Sequence, residues 1–241
     1  MLLFMQKIAI IIPCYNEENR LRESDILALI SSTSATIFLA NDGSNDGTLN
    51  LIQNISSSYP ERVVVLDYKQ NQGKAATIYK AVNQISKENS FDFISYFDAD
   101  FSTPPSEIKR LLSEIKDLKH LFLIGSRILL LNSGIQRKFY RHIIGRVIIT
   151  LINTRFKLGI YDTQCGAKIF SSQIVKEVFD KPFLTSWLFD VEIFIRMKKK
   201  DLLKTGREIP IYNWVDVDGS KLGFKSGFKI IKELLVLHTK Y

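Results

Sequence analysis

The sequence predicts an α/β fold with a mostly parallel central sheet flanked by helices. Apolar runs rich in β-branched residues, "IAIIIP", "TIFLA", "VVVLDY", "FDFISYF" and "LFLIGS", recur with helical segments between them at spacings of roughly 25 to 30 residues, which is the alternation of βαβ units. Each run ends in a polar cluster, "CYNEE", "NDGSNDGT", "KQNQGK", "DADFSTP" and "SR" in turn. In a parallel sheet such clusters share one edge, beyond the carboxyl ends of the strands, where α/β proteins bind their ligands.

The opening "MLLFMQKIAIIIPCYNEE" has some features of a signal peptide, but Lys7 splits the apolar stretch and no small-residue cleavage site follows, so it reads as the first strand. "NDGSNDGT" is a turn leading into a helix, or a loop whose amides and carboxylate hold a nucleobase. "NQGKAAT" puts a Gly-Lys pair at a helix start, where free amides and a lysine face a phosphate. It is not a Walker A loop, because Tyr68 stands where the earlier glycine belongs, and no G-x-G-x-x-G follows any strand.

"YFDADFSTP" stops a buried strand on two carboxylates. Asp98 and Asp100, at i and i+2, can lean over one edge and share a divalent cation, with phosphate oxygens completing the shell as Mg²⁺ or Mn²⁺ prefers. Acidic pairs at strand ends also serve as loop solvation or helix caps, and Ser102 or Thr103 before "PPSEI" reads as such a cap.

Beyond residue 130 come a basic and apolar helix from about Gln136 to Phe156, then "DTQCGAKIF", a short helical "SWLFDVEIFIRMKKK", a strand-like "EIPIYNWV" and a last helix from Gly223 to His238. No Pro/Gly/Ser-rich linker, repeat or low-complexity tract divides the chain, so residues 1–241 read as one domain.

A chain of 241 residues, 46% hydrophobic and 24% charged, can bury a full core. Cys14 and Cys165 are too few for a disulfide framework and lack metal-ligand spacing, which points to a reducing compartment. No uninterrupted apolar stretch reaches the roughly 18 to 20 residues of a spanning helix, so the chain is expected to be soluble or peripheral. The net charge of +8 is concentrated: from Leu118 to Tyr161 there is no Asp or Glu, while Lys119, Arg127, Arg137, Lys138, Arg141, Arg146, Arg155 and Lys157 all fall there. Such a block suits an anionic partner, or is a solvated basic face. No nucleic-acid-binding motif accompanies it, and none is expected to bind.

Taken in order, "IIPCYNEE", "NDGSNDGT", "NQGKAATI", "YFDADFSTP", "GSR", "DTQCGAKIF" and "FDVEI" resemble the family 2 glycosyltransferases, and within them the group that makes polyprenyl-phosphate sugars, the dolichyl-phosphate β-glucosyltransferases above all. The resemblance runs from about Ile8 to Val215. It implies a GT-A type nucleotide-sugar-binding fold with C-terminal amphipathic helices, a nucleotide-binding half over about residues 1–130 and an acceptor and membrane-facing half over 131–241. Carried over by position, it implies that Pro13, Tyr15, Glu17 and Asp42 border the base and ribose of a nucleoside diphosphate sugar and that Lys74 lies near the nucleotide. Asp98 and Asp100 would hold a Mg²⁺ or Mn²⁺ on its diphosphate, and Gln164 would face the sugar. The "QCG" form is nearer the glucosyl than the mannosyl branch, so UDP-glucose is the expected donor.

The same resemblance assigns Arg127, Arg141 and Arg146 to the phosphate of a polyprenyl phosphate acceptor, each with a surface charge or structural ion pair as its plain alternative. The pattern departs at Gly145, where a serine is often found, which removes one phosphate hydrogen bond. A phosphate monoester, with a second pKa around 6, is already an anion near neutral pH and needs positioning cations rather than a base. In relatives that act on a saccharide hydroxyl, a carboxylate in the "FDVEI" region is the base, so Asp190 is the catalytic candidate for that alternative acceptor and otherwise a positioning group. A non-catalytic nucleotide-sugar or anionic-lipid binding module is the third reading.

Two helices bear on the membrane. Phe139, Ile143, Val147 and Leu151 recur at helical spacing beside arginines, and Phe224, Phe228, Ile231 and Leu235 form a stripe flanked by Lys221, Lys225, Lys229 and Lys232. Each stripe either lies in a lipid headgroup layer or packs on the sheet. The expected location is the cytoplasm, peripheral at the inner face of a membrane.

Overall fold

The computed structural model describes residues 6–88, 90–115, 120–216 and 224–241, with side chains from residue 228 in the last helix. Four parallel strands are laid down first, each followed by a helix: β1 (Ile8–Cys14), α1 (Glu23–Ser32), β2 (Thr36–Asp42), α2 (Thr48–Ser58), β3 (Val63–Tyr68), α3 (Lys74–Lys87), β4 (Phe93–Tyr96) and α4 (Pro105–Ser113). Then come β5 (Phe122–Ser126), β6 (Gly134–Gln136), α5 (Phe139–Phe156), β7 (Lys168–Ser171), α6 (Ser172–Val178), α7 (Phe189–Lys199), β8 (Gly206–Pro210), β9 (Asn213–Val215) and α8 (Phe224–Lys240).

The main sheet has the order β3-β2-β1-β4-β7-β5-β8. Both faces are covered, which explains the continuous apolar runs: alternate residues of β1 enter opposite cores. Ala9 and Ile11 join Ile78 and Val82 of α3, Ile174 of α6 and Phe194 of α7, whereas Ile10 and Ile12 join Ile26 of α1, Ile52 of α2 and Ile108 of α4.

β7 is antiparallel to both neighbours, with Tyr96 opposite Lys168 and Phe122 opposite Phe170. Reversing this strand brings the start of β7, and the "DTQCGA" loop before it, to the edge where β4 and β5 end. The strand-like "EIPIYNWV" is two strands: β8 joins the main sheet beside β5, while β9 pairs with β6 in a separate two-stranded sheet. That small sheet consumes Gln136, so the helix expected from there begins at Phe139. The Val215 amide donates to the Ser102 carbonyl at 3.1 Å, tying the small sheet to the "DADFS" turn. The N-cap of α4 is Pro104, not Ser102 or Thr103.

The stripe Phe139, Ile143, Val147 and Leu151 faces away from the core, with Phe139 78% exposed; α5 is buried through Ile149, Ile152 and Phe156 instead. Likewise Ile230 and Leu237 of α8 are buried while Phe228 (81% exposed), Ile231 and Leu235 are not. The stripe's Lys221, and the side chains of Phe224 and Lys225, lie outside the described residues, as do Leu118 and Lys119 of the basic block. Glu233 of α8 accepts the amides of Trp187 and Leu188 at 2.9 and 2.8 Å, placing a carboxylate at the positive end of α7. Arg155 donates to His238, joining α5 to α8. Among the described residues no helix is long and apolar enough to cross a membrane.

Candidate active site at the carboxyl edge of the sheet

The loops after β1 and β2 are clasped together. Glu18 accepts from the Gly47 amide at 2.9 Å, Asn16 from the Asn45 amide at 2.9 Å, and the Glu17 amide donates to Thr48 Oγ1 at 2.7 Å. Pro13 and Tyr15 are half-buried at the mouth of this clasp. Glu17 is buried, and its carboxylate accepts from both Nε and Nη2 of Arg20. Asp42, also buried, turns to the next loop, accepting the amides of Gln72 and Gly73 at 2.9 and 2.8 Å. Gly43 is needed where the two loops meet: its φ is +66°, and a Cβ there would lie 2.6 Å from the Asn71 nitrogen. The loop so held delivers Lys74, the first residue of α3, to Asp98, with which it forms an ion pair.

Between the two carboxylates of "DADFS" the electrostatics diverge. Partial burial alone would raise Asp98, but Lys74, Lys168 and Arg127 together hold it below the usual carboxylate range. Burial and the charge of Asp98 push Asp100 up, although the Ser102 amide and hydroxyl donate to it at 3.0 and 2.8 Å. Phe101 just beyond adopts a left-handed φ of 48°, an unusual conformation for a bulky residue. The loop before β7 presses on the pair so closely that a Cβ on Gly166 would lie 1.9 Å from an Asp98 oxygen, so "QCG" requires its glycine.

Among the described residues no group of three or more His, Cys, Asp or Glu could hold a metal by itself. Two carboxylates, one of them loaded with the charge of the other, fit a hard divalent cation that takes its remaining oxygens from a bound phosphate.

Opposite the carboxylates lie the arginines. Arg127 forks onto Asp162, Nε to Oδ2 at 2.7 Å and Nη2 to Oδ1 at 2.9 Å, and stands 5.3 Å from the Trp214 ring. Asp162 is lowered well below the carboxylate range, since the Arg127 charge outweighs its burial. Glu208 fixes the loop from behind by accepting the Tyr161 and Asp162 amides at 2.8 Å each. Arg141 pairs with Asp216, the residue after β9, and Arg146 donates to the Tyr161 carbonyl at 3.0 Å with its guanidinium 3.9 Å over that ring. Four buried polar atoms here, Ser126 Oγ, Thr163 Oγ1, Gln164 Nε2 and Asp216 Oδ2, have no hydrogen-bond partner among the described residues. Orphans of this kind at a site are satisfied by a ligand or by water.

Asp190 sits deeper, at 5% exposure. It accepts from the Tyr96 hydroxyl at 2.5 Å and pairs at 3.0 Å with Lys168, which is fully buried and also donates to the Cys165 carbonyl. Among the described residues its carboxylate is engaged by a lysine and a tyrosine and by no arginine. Glu192, two residues on, belongs to a structural network with Arg196, Thr185 and Tyr241. Burial pushes the Cys165 thiol up to about 12, which makes it inert.

Residues 9–179 match the family model described as glycosyl transferase family 2. The chain belongs to that family. It is similar to the dolichyl-phosphate β-glucosyltransferases of Dictyostelium discoideum, 27% identical over 254 residues that cover 97% of this chain and 74% of that protein. Against the Saccharomyces cerevisiae protein of the same name the identity is 27% over 256 residues, covering 97% and 75%. Among solved structures it resembles the glucosyl-3-phosphoglycerate synthase of Mycobacterium tuberculosis in complex with Mn²⁺, UDP and glucosyl-3-phosphoglycerate, with a TM-score of 0.71 at 13% identity over 97% of this chain and 79% of that one. A mannosyltransferase from Pyrobaculum calidifontis in complex with GDP-Man and Mn²⁺ gives 0.62 at 14% identity, covering 98% and 63%. These likenesses show the GT-A fold.

Several residues around this candidate site escape a reading of the sequence. Arg20, whose charge is felt by Asp98 and Asp100, stands outside every strand-end cluster. Lys168 is hidden in an apolar "AKIF", and only its place opposite Tyr96 makes it a partner for Asp190. Asp162 was visible as the first residue of "DTQCGAK", but nothing in the spacing couples it to Arg127. Arg137, the residue after β6, reads as one more charge in the basic block.

Proposed function

We propose that the chain is an inverting glycosyltransferase that moves a hexose, glucose first among them, from a UDP-sugar to a polyprenyl phosphate at the cytoplasmic face of a membrane. The observation that carries this reading is the juxtaposition of the Asp98 and Asp100 carboxylates with an arginine group anchored on Asp162 and Asp216, linked through Arg127, whose charge helps to keep Asp98 ionised. The names of the dolichyl-phosphate relatives support the acceptor and the glucose. Buried, free Cys14 and Cys165 agree with a reducing compartment.

In this reading Pro13, Tyr15, Glu17 and Asp42 frame the base and ribose, Lys74 adds charge beside the diphosphate, and Gln164 offers its unpartnered Nε2 to the sugar. Asp98 and Asp100 hold a Mg²⁺ or Mn²⁺, which supplies Lewis-acid stabilisation of the departing diphosphate. Arg127, Arg141 and Arg146 orient the acceptor phosphate so that one of its oxygens attacks the anomeric carbon from the face opposite the diphosphate. The new carbon–oxygen bond forms as the bond to UDP breaks, and no proton has to be removed from the nucleophile. Asp190 keeps Lys168 and Tyr96 in place beneath the carboxylate pair. The exposed apolar faces of α5 and α8, with Lys229 and Lys232 alongside the latter, rest in the headgroup layer that carries the acceptor.

The test is a donor panel. UDP-glucose, other UDP-hexoses and GDP-mannose are offered with a polyprenyl phosphate in detergent, with Mg²⁺, Mn²⁺ or EDTA. The expected result is a metal-dependent lipid product from UDP-glucose; product from GDP-mannose alone would overturn the donor assignment. Asp190→Asn separates the acceptors, weakening transfer to a phosphate but nearly abolishing transfer to a hydroxyl.

A further inference from the structure

One cation of the acceptor side has no task in the reaction as described. Arg137 follows β6, and its half-buried guanidinium is lodged against Gly145 of α5: a Cβ on that glycine would lie 2.8 Å from Nη2. The neighbouring arginines are all engaged, Arg127 by Asp162, Arg141 by Asp216 and Arg146 by the Tyr161 carbonyl. Among the described residues no acceptor is bonded to Arg137 and no carboxylate pairs with it. A guanidinium carries five donors and stays charged at any physiological pH. Withdrawing it from water without acceptors is costly, and an arriving anion relieves that cost.

The surroundings identify the anion. Burial and the Arg127 charge push Arg137 down, opposed by Asp162 and Asp216. The charges that act on it most are those of Arg127, Asp162 and Asp216, which sets Arg137 among the proposed acceptor arginines. The pairing of Gln136 with Val215 sets Arg137 beside Asp216, and therefore beside Arg141. Asp162 is paired with Arg127, Glu208 with backbone amides and Asp216 with Arg141 through Oδ1, while among the described residues Asp216 Oδ2 stays without a hydrogen-bond partner and Arg137 makes no ion pair with any of them.

The geometry points to Arg137 as a further ligand of the acceptor's phosphate monoester, with Gly145 kept bare so that the guanidinium can take its seat. This inference rests on the acceptor proposed above and names the group that grips it. It makes the departure at Gly145 a gain: the notch replaces a side-chain hydroxyl with a full charge, and charge-assisted bonds to phosphate are about twice as strong as neutral ones.

The test measures binding of geranyl phosphate, inorganic phosphate and geraniol to the full chain by calorimetry, with UDP plus Mn²⁺ as a check on folding. Arg137→Ala and Gly145→Val, the second of which keeps the charge but fills its seat, are expected to lower geranyl phosphate affinity about tenfold or more while UDP binding holds, with partial recovery in Arg137→Lys. A parallel loss of inorganic phosphate affinity shows that the phosphate itself is gripped. Unchanged geranyl phosphate affinity in Arg137→Ala would overturn the inference, as would an equal loss for geraniol, which would put the effect on the prenyl chain. Should the wild-type chain transfer sugar to no polyprenyl phosphate, the proposed reaction falls, whereas an Arg137-dependent loss of phosphate binding still upholds the anion site.

Discussion

The proposed donor edge and the proposed acceptor face of this glycosyltransferase are built on different principles. At the proposed donor edge most of the candidate side chains stand at or past the end of a parallel strand, and neighbouring loops are locked by side-chain acceptors on backbone amides, Asp42 on Gln72 and Gly73 being the pattern for the rest. At the proposed acceptor face Arg127, Arg137, Arg141 and Arg146 come from a strand end, a short connection and one helix, and the face is held chiefly by the ion pairs of Arg127 with Asp162 and Arg141 with Asp216. The first arrangement is rigid because the sheet is; the second depends on a few charges remaining paired. One consequence is that the donor edge should tolerate changes in its surroundings, while the acceptor face should unravel when a counterion is lost.

The largest expected effect tests the donor edge at its centre. Asp100→Ala should lower transfer at least about a thousandfold, the several kcal/mol that a bound divalent cation contributes to such a transition state. A steady-state assay reads it, and a loss under tenfold would mean that the carboxylate pair is not the metal site.

Next is the counterion of the acceptor face. Asp162→Ala leaves a nearly buried Arg127 unpaired and is expected to cost about 3 kcal/mol or more in denaturant unfolding. Because the folded-state value of Asp162 is depressed, its contribution is present above the ordinary carboxylate value near 3.8 and is lost as pH falls towards the folded value. The stability gap between wild type and the variant should therefore close in acid. A gap that is the same at neutral pH and below pH about 3 would contradict the pairing as the source of stability.

Sharper still is the separation of the two regions in kinetics. Arg141→Ala should raise the KM for polyprenyl phosphate about tenfold to a hundredfold and leave the KM for the UDP-sugar alone. If the donor KM rises as much, the arginines do not form a separate acceptor site. The smallest effect concerns the exposed face of α5. Val147→Glu with Leu151→Glu should reduce sedimentation with anionic vesicles about tenfold without changing thermal stability, since both side chains are exposed.

The same contrast governs what was legible in the sequence. Strands β1 to β5 and the cluster at the end of each were readable because apolar runs such as "IAIIIP" leave no other fate for their residues than a covered sheet. Strands β6, β7 and β9 were missed, or merged with their neighbours, because three or four residues carry no periodicity of their own. The stripes of α5 and α8 were visible, but their direction was not: helical spacing says that one face is apolar and says nothing of which way it turns. Asp98 and Asp100 could be singled out from local sequence alone. The pairs Arg127 with Asp162, Arg141 with Asp216 and Lys168 with Asp190 span 35, 75 and 22 residues, so only the tertiary structure joins them.

The central claim is that the nucleophile is a phosphate. It is tested most directly by offering the purified chain labelled UDP-glucose and Mn²⁺ with a polyprenyl phosphate, the matching polyprenol and a saccharide in parallel. Labelled product from the polyprenyl phosphate alone is the expected result, and product from the polyprenol or the saccharide at a comparable rate would contradict it.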